Sequence, residues 1–133
     1  MVTGTHLYLA LTNIFGIIPL VTTTDFYDKC LVSSVVVASV AMHLSETKHY
    51  LKPHPYLASK ADWFLNMDRG AALVSMLLLF PRWWKYGTWA QAMFFATGLT
   101  ASGLGELSTH VPTYCALHTW WHFVSYMTLY MIM

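Results

Sequence analysis

Residues Tyr114 to Met131 read YCALHTWWHFVSYMTLYM. Two histidines four apart, His118 and His122, head an apolar run that continues to the last residue given. A run of about 20 apolar residues is what crosses a bilayer core of about 30 Å as a helix. Hydrocarbon does not solvate an imidazole, so two of them in one span suggest a function.

The rest of the chain is of the same kind. Of its 133 residues 56% are apolar, 16% aromatic and only 10% charged, with a mean hydropathy of +0.48. That composition points to an integral membrane protein. The formal net charge is +1 and no basic block stands out, so no nucleic-acid surface is expected. The opening MVTGTHLYLALTNIFGIIPLV has no Lys or Arg before its apolar run and no small-residue cleavage site after it. It is expected to stay as a first helix rather than to be removed as a leader.

Five apolar segments can be marked, at about 7–21, 26–44, 64–80, 88–107 and 113–133. They predict an all-α fold, a single transmembrane bundle of about five helices spanning 1–133. The separators are TTTDFYDK, SETKHYLKPHPYLASKAD, PRWWKYG and STHVP, and Pro53, Pro55, Pro81 and Pro112 all fall in them. Pro19 makes the first segment the weakest span. Gly98, Ala101, Ser102 and Gly105 recur every three or four residues and predict a close helix contact. Trp83, Trp84 and Trp89 read as an aromatic belt at a membrane boundary. Cys30 and Cys115 begin helices that start on opposite sides, so no disulfide is expected.

Alternating helix direction then sorts the polar groups. If the first helix leaves side A, the second returns there with Ser39 and His43, and the third starts there with Asp68. The fourth returns to A with Glu106, and the fifth starts from A with His118 and His122. All these groups are expected at one depth. Residues four apart share a helix face, so His118 and His122 can reach one ion, and Ser39 and His43 have the same spacing. Three imidazoles from two helices, with water as the fourth ligand, form a recognised catalytic zinc arrangement. Asp68 and Ser39 would be the outer groups that orient the water. Glu106 reads either as a second pocket carboxylate or as a helix-end residue in contact with water. His6, His49, His54 and His110 are expected in loops or at the interface. Lys48, Lys52, Lys60 and Arg69 on side A against Lys29, Arg82 and Lys85 on side B leave the orientation open.

The set Ser39-x-x-x-His43, then Asp68 early in the following helix, then His118-x-x-x-His122 in the last helix resembles the CREST superfamily of membrane hydrolases. That group includes alkaline ceramidases, progestin and adipoQ receptors and myomaker-like proteins, and the similarity is strongest to the myomaker-like branch. The resemblance implies one zinc ion per chain on His43, His118 and His122, with Asp68 and Ser39 supporting its water. It implies hydrolysis of an amide or ester bond in a membrane lipid. The family has seven spanning helices, and this chain has room for five. The two missing helices would fall between the Asp68 helix and the last.

Two other classes of function fit the same residues. A non-catalytic subunit of a larger membrane complex is suggested by the small size, the short loops, a C-terminus inside an apolar run and the two missing helices. Such a chain could keep a zinc site as a structural remnant, with other membrane subunits as partners. A b-haem protein would use His43 and one of the late histidines as axial ligands, leaving Ser39 and Asp68 without a task.

Overall fold

The computed structural model describes residues 4–47 and 53–133. Among the described residues all regular structure is helical, in the order α1 (Gly4–Leu11), a 3-10 segment (Thr12–Gly16), α2 (Ile17–Thr22), α3 (Phe26–Ser45), α4 (Pro55–Ala58), α5 (Ala61–Tyr86), α6 (Trp89–Leu107) and α7 (Val111–Ile132). The first three pieces run on as one segment. That segment, α3 and α5 are each long and apolar enough to cross a membrane. The fold is the expected all-α bundle, with α4 as an extra turn in the connection after α3; of the five spans expected, these three meet the length and apolarity of a crossing helix among the described residues, and α6 and α7 do not.

Local chemistry sets the ends. The Asp25 side chain caps α3 by accepting from the Asp28 N–H at 3.0 Å. Thr88 and Gln91 form a reciprocal capping box at the start of α6. Pro112 lies in the first turn of α7, where a helix has no use for its N–H. Pro81 departs from expectation: α5 continues through it to Tyr86, so PRWWKYG is helical. A proline inside a helix costs about 3 kcal/mol, and one bond to α3 and ring contacts within α5 act against that cost here. Arg82 Nη1 donates to Asp28 Oδ2 at 2.5 Å, and Trp83 and Trp84 stack against Phe80. Of the three tryptophans in the expected belt, Trp84 and Trp89 are exposed, while Trp83 lines an internal cavity.

Proline also explains the break in the first segment. The Pro19 ring clashes with the carbonyl four residues earlier, at Phe15, and the turn ahead of it tightens to 3-10 geometry. That stretch lies hard against its neighbours: a Cβ on Gly16 would stand 2.5 Å from Val36 Cγ2 and 3.0 Å from Tyr126 Cε1.

The small-residue stripe does what its spacing predicts. Gly98, Ala101 and Gly105 are buried, and a Cβ on Gly98 would lie 2.7 Å from Val124 Cγ1. Ser102 instead lines the internal cavity. α6 thus packs closely on α7, whereas α5 leans mainly on α3 and touches α7 sparingly. The outer face of α5 exposes Leu73, Val74, Leu77 and Leu78, as a lipid-facing helix does. Cys30 and Cys115 are both free thiols, as expected. Because Val124 is fully buried and β-branched, it cannot move aside for a larger residue. Gly98→Val is expected to destabilise the bundle by about 1–3 kcal/mol, read as a lower thermal midpoint in detergent.

Candidate metal centre

His43 lies in the last turn of α3, and His118 and His122 lie in the first part and at the middle of α7. All three are buried, with His43 at 0% exposure. One ring nitrogen from each lies within 4.8 Å of the others, and the ring centroids are 4.6 to 5.0 Å apart. Three histidines this close could hold a metal ion.

The donor geometry fits such an ion. His43 Nε2 and His122 Nε2 are 3.3 Å apart. Two nitrogens bound to one tetrahedral zinc at about 2.0–2.1 Å stand about 3.3–3.4 Å from each other. Their other ring nitrogens are occupied from outside. His43 Nδ1 is 3.3 Å from Glu46 Oε2, and His122 Nδ1 is 2.6 Å from Thr12 Oγ1. Partners on the far ring nitrogen are what orient metal-binding histidines.

Ser39 is buried, and its Oγ is 3.3 Å from His122 Nε2 rather than beside His43. Asp68 is half-buried on α5 and within electrostatic reach of His43. It lines a cavity of about 470 Å³ together with Ser39, Glu106, His118 and His122. Glu106 itself is exposed, so it is a helix-end residue that also borders the pocket. The cavity lies between α3, α5, α6 and α7, and its walls are largely apolar, including Leu65, Met76, Leu79, Phe95 and Leu129.

Three contributors were not legible as site residues. Glu46 falls in a stretch read as a breaker, yet it is buried at 6% exposure. It accepts from Tyr114 Oη at 2.5 Å as well as facing His43. Its only sequence signal is the three-residue step from His43, one helical neighbour away. Thr12 sits in an apolar run and gives no signal at all. His6, expected in a loop or at the interface, is fully buried with Nε2 2.8 Å from the Glu46 carbonyl. His54 and His110 are exposed at the starts of α4 and α7, as expected. His49, Lys48 and Lys52 lie outside the described residues.

No family model, curated protein or solved structure matches this chain. The class its fold and site define is therefore an all-α bundle with helices able to cross a membrane and a buried three-histidine group.

If the three imidazoles act together, each should be needed. The purified chain is expected to retain about one divalent ion by elemental analysis, and His43→Ala, His118→Ala and His122→Ala should each lose most of it. Metal retained by all three variants would sink the common site.

Proposed function

We propose that this chain is an integral-membrane, zinc-dependent lipid hydrolase of the CREST type, with one zinc on His43, His118 and His122. The observation that carries the proposal is the buried triad, two of whose imidazoles, His118 and His122, line a largely apolar cavity that also holds Asp68. The cavity volume of about 470 Å³ is within the range of about 300–1,000 Å³ common for small-molecule sites. An acyl chain from the bilayer would lie in this cavity, between α3, α5, α6 and α7. The resemblance in motif order supports the same reading.

Zinc in such a site would supply Lewis acidity, polarising a carbonyl or phosphoryl oxygen and making water nucleophilic near neutral pH. The work left to the chain is positioning and proton transfer. Asp68, at the edge of the triad, would take the proton of the attacking water and return it to the leaving amine or alcohol. Ser39 would donate its hydroxyl toward the oxygen that gains charge. The apolar cavity walls would hold the acyl part of an amide or ester lipid and keep bulk water from the reacting bond. A haem fits less well, because it would use two of the three clustered imidazoles and leave the third, with Ser39 and Asp68, without a task.

The subunit reading keeps one observation in its favour. α5 packs lightly on α7 and exposes a continuous apolar face, a surface that protein neighbours could cover as well as lipid. The two readings separate on a single variant. Asp68→Asn should leave zinc bound, since no ligand is lost, and should reduce hydrolysis by about 10²–10⁴-fold, the usual worth of one acid–base group. Wild-type protein that binds zinc, turns over no ceramide, lysophospholipid or GPI-type lipid, and purifies only within a larger complex would decide for the subunit.

A further inference from the structure

The first helical segment looks from its sequence like a plain hydrophobic span, yet it reaches the outer edge of the triad. The Thr12 hydroxyl is 2.6 Å from the Leu9 carbonyl and 2.6 Å from His122 Nδ1. A hydroxyl has one proton to give, and a carbonyl can only accept. The proton therefore goes to Leu9, and the second bond requires a proton from His122 Nδ1. That leaves the His122 Nε2 lone pair facing Ser39 and His43, each at 3.3 Å.

The same accounting applies across the site. Glu46 Oε1 accepts from the Tyr114 hydroxyl, and Oε2 faces His43 Nδ1. A carboxylate in that position takes a proton from Nδ1, so His43 also turns a bare Nε2 inward. Two lone pairs then face one another at 3.3 Å. The Ser39 hydroxyl can donate to one of them, and a cation between them would satisfy both.

Back-bonding of Thr12 to its own helix explains the Leu9 contact. It does not explain a 2.6 Å contact with a ring 110 residues away. That approach depends on the backbone: Pro19 tightens the turn, and Gly16 lets the tightened turn close on Tyr126 and Val36. A second tie holds the same turn, since Tyr126 Oη donates to Asn13 Oδ1 at 2.5 Å.

We propose that Thr12 and Glu46 are positioning residues that hold His122 and His43 in the Nδ1–H tautomer, so that the three-imidazole site is assembled before a cation arrives. The first segment is then a working part of the centre rather than an anchor. The inference rests on the metal reading of the triad for its purpose, but the tautomers can be observed without any metal.

The test uses the full chain, purified in detergent and stripped with a chelator. Nitrogen NMR of labelled histidines, assigned by single His variants, is expected to show His122 and His43 neutral, protonated at Nδ1 and bare at Nε2. Thr12→Val, close in shape and without the acceptor, should shift the His122 signals and weaken zinc affinity by about 10–100-fold. Thr12→Ser keeps the hydroxyl and should restore both. Glu46→Leu should act on His43 as Thr12→Val acts on His122, and Glu46→Gln, which retains an acceptor, should be milder. His122 protonated at Nε2, or His43 protonated on both nitrogens, would overturn the proposal, as would unchanged signals in a folded Thr12→Val protein. If Thr12→Val fails to fold, wild type and Thr12→Ser still decide by their tautomers. If the tautomers are as stated and no variant or wild type binds zinc, the positioning stands and the metal reading falls.

Discussion

An imidazole taken out of water needs a partner for each ring nitrogen, because an unmet buried polar group costs about 1–3 kcal/mol. Among the described residues four histidines are buried in this way: His6, His43, His118 and His122. A bundle with so little polar surface can meet that demand only by gathering its polar side chains around them. Glu46 serves two histidines, with its carboxylate toward His43 and its main-chain carbonyl toward His6. Thr12 and Ser39 meet His122 from two other elements. The packing of α1 and the 3-10 turn against α3 and α7 follows from these bonds as much as from apolar contact.

Helix direction makes the gathering possible. Successive antiparallel segments bring the end of α3, the start of α5, the end of α6 and the start of α7 to the same side. Groups scattered over 80 residues of sequence thus reach one depth. The opposite side has its own polar contact, Asp28 with Arg82, with the free thiol of Cys30 nearby but no cluster of histidines among the described residues. The division is between a side that could do chemistry and a side that holds the helices together.

How much of this was legible follows from the range of each signal. Spacing within one helix is visible in sequence, so the His118 and His122 pair and the Ser39 and His43 pair were readable, as was the Gly98 stripe. Sidedness is visible once the spans are counted. Contacts across the bundle leave no periodic trace: Thr12 is one more residue in an apolar stretch until α7 lies beside it. Glu46 was hidden by its position just past a helix end, where charged residues are usually solvated. Pro81 misled for the opposite reason, since a residue that breaks an isolated helix was carried through by Arg82 and the neighbouring tryptophans.

The Asp28–Arg82 pair has a mechanical meaning. Asp28 is buried while the Arg82 side chain is 42% exposed, so the far end of α5 is pinned to α3 at a point still reached by surroundings. Asp68 lies fourteen residues away on the same helix, about 21 Å along its axis at 1.5 Å per residue. α5 otherwise lies along α3 and touches α7 sparingly, so α3 is the rail against which the height of Asp68 is set. The acid of α5 and the imidazole of α3 therefore keep their spacing through the same helix–helix seam, which the Arg82 bond closes at its other end.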